Sequence, residues 1–205
     1  LKPIQEGRAP EAPRAPEGVP IVGVPYNGAT FPYAAFPDQT SVSELLVKAI
    51  DNSQASLKLV LYDFNLQNVH EAVLRARDRK PPVQVQVILD ESHVFPRKAG
   101  TEPSPQIAAL LKEPGIEVRI LRGFDDYGTM HNKIGIFDDS LVEFGSFNWT
   151  NAAENKHYEN AVFTREAARV KLYLAYWDWM WKNAQPADKP HGAPTLSPDR
   201  PRERQ

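Results

Sequence analysis

Residues 131–148 read HNKIGIFDDSLVEFGSFN, and this stretch decides both fold and chemistry. His131, Lys133 and Asp138 stand in the spacing H-x-K-x4-D, followed by Gly145, Ser146 and Asn148. Six fixed residue types in that pattern arise by chance on the order of once in a million chains of this length. Alternate residues of a strand share a face, so His131 projects with Lys133, and Ser146 with Asn148 on the next run. A two-residue turn at Asp139-Ser140 would set Asp138 opposite Leu141, Lys133 opposite Ser146 and His131 opposite Asn148. A nucleophile or acid, a fixed cation, a hydroxyl and an amide then converge, a set suited to phosphoryl chemistry. The other positions, Ile134, Ile136, Phe137, Val142 and Phe144, are apolar on both faces. Such strands belong at the centre of a sheet covered on two sides. Gly135 is expected to leave space beside His131 and Lys133, and Gly145 to allow a bulge or a close backbone approach. Asp138 ends its strand on the other face from His131, which assigns it a structural role at the turn.

Outward from the hairpin, apolar runs alternate with helical patterns. Val42, Leu45, Leu46, Ala49 and Ile50 have helical periodicity behind a Ser41 or Ser43 cap. Leu57–Tyr62, Val83–Leu89 and Val118–Leu121 read as strands, and Ala161–Phe163 as one more. Val69, Ala72, Val73 and Ala76 mark a helix that ends before Pro81-Pro82, and Pro105–Leu111 a shorter one. A long helix from Glu166 to Trp181 places Val170, Leu174, Trp177 and Trp181 on one face, with the aromatic stripe serving the core or a dimer contact. This alternation predicts an α/β class, with a mixed central sheet flanked by helices on both faces. Residues 1–37 read as a Pro-rich linker or extension whose Val19–Phe36 part carries enough aromatics to pack on the domain. Residues 38–184 form the domain, and 185–205 a flexible tail.

The 205 residues, 41% of them hydrophobic, suffice for one domain with a real core, and no apolar run approaches a membrane span. Cysteine is absent, which excludes disulfides, thiol nucleophiles and cysteine zinc sites. The net charge of -2 is a mild argument against tight non-specific binding to nucleic acid. Candidate cations for a backbone-tracking rim are Arg75, Arg77, Arg79 and Lys80 at one helix end, Arg97 with Lys98, and Arg119 with Arg122. The segment 91–103, ESHVFPRKAGTEP, follows a strand end, where such sheets often bind substrate. His93, Phe95, Arg97 and Lys98 are its candidate substrate contacts, with Phe95 placed to stack a base. Neighbouring acids such as Asp125-Asp126 and Asp138-Asp139 point apart on a strand, so no metal site is expected.

The pattern of His131, Lys133, Asp138, Gly145, Ser146 and Asn148 resembles the phospholipase D superfamily, over roughly residues 38–183, with Glu159 standing where that family has a downstream acid. The resemblance implies an α-β-α sandwich and a phosphodiesterase without metal or other cofactor. It implies that His131 attacks phosphorus to form a phosphohistidine, Lys133 and Asn148 hold the non-bridging oxygens, Ser146 bonds the phosphate or its neighbours, and Glu159 orients the His131 ring. The family's phospholipases carry two motif copies, whereas this chain has one. That resembles the small bacterial endonucleases of the superfamily and implies a homodimer in which a second His131 protonates the leaving oxygen. A nuclease acting on DNA or RNA is therefore the leading expectation. A lipid phosphodiesterase or phosphatidyl transferase, which would act on phospholipid, and a non-catalytic nucleic-acid-binding module are the alternatives. The Pro-rich leader and a first residue that is Leu1 rather than Met give the expectation of a periplasmic or secreted protein tethered through a preceding segment.

Overall fold

Three runs with Val, Ile and Leu on both faces make the parallel heart of the sheet: β4 (Ser56–Leu61), β5 (Gln84–Asp90) and β6 (Ile116–Leu121). The computed structural model describes residues 23–125 and 127–191. Ahead of β4 lie β1 (Val24–Tyr26), β2 (Ala29–Phe31), β3 (Ala34–Ala35) and α1 (Val42–Asn52). The crossovers carry α2 (Gln67–Arg77), the short α3 (Glu91–Val94) and α4 (Pro105–Leu110). The motif forms β7 (Lys133–Phe137) and β8 (Leu141–Gly145), followed by α5 (Asn151–Asn155), β9 (Ala161–Thr164), α6 (Ala167–Asn183) and β10 (Gln185–Pro186). The eight-stranded sheet has the order β10-β6-β5-β4-β7-β8-β9-β3, so β7 lies near its centre, antiparallel to both β4 and β8.

Helices cover both faces, as expected for an α-β-α sandwich. On one face α1 and α2 bury Leu46, Ile50, Val69 and Val73 against Leu57, Leu59, Val85 and Val87. On the other, α6 buries Val170, Trp177 and Met180 against Val60, Ile88, Ile134, Ile136 and Val142. Caps set the helix starts: the Ser41 Oγ accepts from Glu44 N in α1, and the Ser104 Oγ accepts from Ile107 N ahead of Pro105 in α4.

The folded unit reaches beyond the expected limits of 38 and 184. Within the 1–37 segment, β1 and β2 pair through an Asn27-Gly28 turn and bury Tyr26 and Phe31 in the core, and β3 extends the sheet beside β9. The aromatic content of that segment supplied the burial. Beyond 184, β10 pairs with β6, and Arg122 donates to the His191 carbonyl. Residues 1–22 and 192–205, where the remaining linker and tail were expected, lie outside the described residues.

The hairpin register differs by one from the two-residue turn. Phe137 pairs with Leu141, leaving Asp138, Asp139 and Ser140 in the turn, with φ of 50° at Asp138 and 51° at Asp139. What fixes this turn is the Asp138 carboxylate. It accepts from the Tyr26 hydroxyl at 2.7 Å, the Asn27 amide at 2.9 Å, and the backbone N–H groups of Gln54, Ala55 and Ser56 at 2.7–3.0 Å. Partial burial alone would raise its pKa, but the bonds from Ala55, Ser56, Tyr26 and Gln54 outweigh it and hold the pKa below the usual value.

Removing that acceptor leaves the donors around it unmatched. Asp138→Ala is expected to destabilise the fold by about 3 kcal/mol, read from the denaturant midpoint. Because the folded-state pKa is depressed, the gap between wild type and variant is fully present above the unfolded aspartate value. It should narrow as pH falls through the folded one. A gap below about 1 kcal/mol at neutral pH would show that water replaces the carboxylate.

Candidate active site

The carboxyl ends of β4 and β5 and the amino end of β7 meet at one edge of the sheet, and the polar motif residues collect there. Tyr62, just past β4, donates its N–H to the Asn132 carbonyl at 3.0 Å, which holds the stretch before β7 against the end of β4. The Tyr62 ring has three basic neighbours. His131 lies 4.3 Å away between ring centroids, His93 4.5 Å away in an edge contact, and the Lys133 Nζ 4.7 Å from the ring centre. Lys133 is buried and donates to the carbonyl of His131 at 2.7 Å. The His93 Nδ1 stands 3.4 Å from an Asp63 oxygen.

Ser146, Asn148 and Glu159 arrive from the other side. Gly145 makes this possible: a Cβ there would sit 2.1 Å from the Asn160 carbonyl oxygen. Ser146 N and Phe147 N both donate to that oxygen, at 3.1 and 3.2 Å, so two residues of one strand oppose one of the other. This is a β-bulge. The extra residue re-aims the chain beyond β8. Ser146 donates to the Glu159 carboxylate and accepts from Asn160 N at 3.1 Å. The carboxylate of Glu159 bonds Ser146 and stands 3.8 Å from the His157 Nδ1, so the expected bond to the His131 ring is not made. The side-chain oxygen of Asn148 is buried, with no hydrogen-bond partner among the described residues.

Burial and mutual repulsion tune the two motif bases. Desolvation, then the nearby Lys133 charge, lower the His131 pKa from the ordinary imidazole value, although Asp90 and Glu159 oppose this. A neutral, nucleophilic ring is favoured at neutral pH. Burial lowers the Lys133 pKa to about 8, against the attraction of Glu159, Asp63 and Asp90. Lys133 and His131, both against the Tyr62 ring, can together offer an anion a cation and an imidazole. Among the described residues no set of three or more His, Asp or Glu side chains converges as a metal site.

Comparison with known proteins agrees with this geometry. Residues 46–181 match the family described as cardiolipin synthase, PLD-like domain. The chain belongs to the phospholipase D superfamily. It is 32% identical over 181 residues to the human mitochondrial cardiolipin hydrolase and 30% identical over 179 residues to that of Mus musculus. The alignments cover 87% of this chain and 62% and 70% of those relatives. Among solved structures it superposes on Nuc from Salmonella typhimurium, a phospholipase D family member, with a TM-score of 0.60 and 28% identity. That match covers 74% of this chain and 94% of Nuc. NucT from Helicobacter pylori shares the fold at a TM-score of 0.63 and 23% identity, over 75% of this chain and 98% of NucT.

Within this superfamily site, several sequence expectations need correction. The space expected beside Gly135 is filled: a Cβ there would meet Phe137 at 2.7 Å and Trp149 at 3.1 Å. The 93–98 segment divides. His93 joins the Tyr62 cluster, Phe95 and Arg97 line a separate recess, and Lys98 is exposed at neither place. Arg75 pairs with Asp51, Arg77 with Asp78 and Glu113, and Arg79 with the Ser53 carbonyl, so charge pairing at the far end of α2 claims that cluster as structure. Arg119 stacks on Trp181 at 4.2 Å and bonds Glu117.

Sequence reasoning passed over Tyr62, Asp63 and Asp90, whose signal was their place at the carboxyl ends of parallel strands. It also missed Glu143. This side chain is fully buried on β8 opposite Gly135, with one oxygen 3.3 Å from the Trp149 indole N–H. Trp149 in turn accepts Asn65 N and Leu66 N on its carbonyl, tying the Ser146–Asn148 segment to the stretch after β4. Burial raises the Glu143 pKa to about 8, against the lowering effect of the Trp149 bond.

A raised folded-state pKa means that stability is fully present below the unfolded carboxyl value of about 4.3 and lost as pH rises through the folded value near 8. Glu143→Gln keeps an acceptor for Trp149 and removes the titration. The variant should gain stability relative to wild type between about pH 5 and pH 8, by on the order of a few kcal/mol. Parallel denaturation curves across that range test this, and curves that stay a constant distance apart would refute it.

Proposed function

We propose that the protein is a metal-independent phosphodiesterase acting on nucleic acid as an endonuclease. Its reaction runs through a covalent phosphohistidine on His131. The observation that carries the reading is that His131 and Lys133 stand where β7 begins, beside the end of β8 that leads into Ser146 and close enough to Glu159 to feel its charge, in a chain that aligns with nearly all of Nuc. His131, kept neutral by burial and by Lys133, attacks phosphorus. Lys133 and the Asn148 amide hold the non-bridging oxygens, where charge builds up. The Asn148 side-chain oxygen is buried without a partner among the described residues, and the NH2 of the same amide is the group that donates to phosphate. Ser146 with Glu159 holds the near wall of the site. His93, steadied by Asp63, is a further contact at the phosphate's edge.

The second proton-handling group comes from a second copy of the chain. The supporting surface is aromatic. Phe124, Tyr176 and Trp179 are exposed side by side, and the Tyr176 hydroxyl accepts from Asn132, the neighbour of His131. A two-fold contact there would bring two His131 rings to one phosphate. Phospholipid is the second reading, favoured by the identity to mitochondrial cardiolipin hydrolases.

Incubation with plasmid, single-stranded DNA, RNA and cardiolipin vesicles in EDTA separates these readings. Cleavage of nucleic acid is expected, undiminished by the chelator. His131→Asn should lose on the order of 10^4-fold or more in rate, while sedimentation still reports a dimer. Loss of cleavage in EDTA, or hydrolysis of lipid alone, would overturn the assignment.

The Lys133 ammonium sets an alkaline limit. Substrate binding should weaken as pH passes about 8, seen as a rising KM. Lys133→Arg, weaker overall, should keep its charge and show no such limb. A limb that survives this substitution would belong to another group.

A further inference from the structure

A second recess opens beside the catalytic edge, and nothing in the reaction just described uses it. It has a volume of about 390 Å³ and lies above the carboxyl ends of β5 and β6. Thr129, two residues before His131, forms part of its wall. With sheet neighbours about 4.8 Å apart and the order β6-β5-β4-β7, its centre lies on the order of 10 Å from the start of β7. That is the reach of the nucleoside attached to a phosphate held at His131. We propose that this recess binds the base of the nucleoside flanking the scissile phosphate. The proposal rests on the nucleic-acid reading above and adds to it the group that is recognised.

The chemistry of the walls selects the ligand. Two carboxylates, Asp90 and Glu91, and two guanidinium groups, Arg97 and Arg122, line the recess, and both carboxylates are internally satisfied. Asp90 is buried, accepting from Ser92 N at 3.0 Å and from Met130 N at 2.7 Å. The Glu91 carboxylate lies 3.4 Å from the Arg122 Nε and accepts His191 N at 2.7 Å. The two carboxylates offset the two arginines, so the walls offer a phosphate no net positive charge, and an acyl chain would cover polar groups with nothing to offer them. The remaining walls include the rings of Phe95, Pro96, Tyr127 and Pro190. Flat apolar faces with a polar, charge-balanced floor suit a neutral heterocycle, whose faces stack and whose edges bond. The Tyr127 ring is 91% exposed, so a stacked base would gain its whole face. Pro190 reaches the recess because β10 and the Glu91–His191 bond hold the chain's last described residues over β6.

The test uses two chromogenic diesters with the same leaving group, thymidine 5′-(p-nitrophenyl phosphate) and methyl p-nitrophenyl phosphate, beside single-stranded DNA in EDTA. Wild type should favour the nucleoside diester by about tenfold or more in kcat/KM. Tyr127→Ala changes an exposed side chain, and Phe95→Leu keeps the partial core packing of that position. Both should lose about fivefold or more on the nucleoside diester, through KM, and nothing on the methyl diester. DNA cleavage without a nucleoside preference, or equal losses on both diesters, would overturn the base subsite alone. Hydrolysis of the methyl diester with no cleavage of DNA would overturn the nucleic-acid reading, and the subsite with it.

Discussion

Asp138 sets, from one end of a ladder, what meets at the other. Its carboxylate joins the β7–β8 turn to the β1–β2 hairpin and to the residues that begin β4. This fixes the antiparallel pairing of β4 with β7, Leu57 against Phe137 and Leu61 against Lys133. Tyr62 consequently emerges beside His131, and the buried Lys133 lies over the same ring. A one-residue slip would turn Lys133 toward α6 and leave an ammonium in an apolar core. Asp138 therefore acts far from His131, through strand register.

Around that register, the site balances burial against charge. Burial biases Lys133 and His131 toward their neutral forms, yet with a pKa of about 8 Lys133 keeps most of its charge at neutral pH. The acids nearby are engaged: Asp63 with His93, Asp90 with Ser92 and Met130, Glu159 with Ser146. Glu143 differs, since burial holds it as a neutral acid beneath Trp149, where it braces the segment bearing Ser146 and Asn148.

Much of this was open to reading in the chain. The alternation of apolar runs and helical patterns predicted the sandwich, and the motif spacing placed its two runs on one hairpin. The details of that hairpin were not legible. A two-residue turn looked sufficient, whereas the protein uses a three-residue turn and then a bulge at Ser146-Phe147 against Asn160. Both departures depend on partners far away in the chain, Tyr26 and residues 54–56 for the turn and Asn160 for the bulge, which local propensity does not specify. Charge clusters misled for a related reason: Arg75, Arg77 and Arg79 look like a binding rim until Asp51, Asp78 and Glu113 arrive from other elements.

The sequence by itself determined the class of fold and the superfamily, because periodicity and motif spacing are local properties of the chain. Only the tertiary structure decided that Tyr62, Asp63 and His93 join His131, that Glu159 bonds Ser146, and that residues 24–35 and 185–191 belong to the folded unit. Those outcomes depend on which strand lies next to which, and on which buried polar group finds its partner there. Contacts across large sequence separations carry that information.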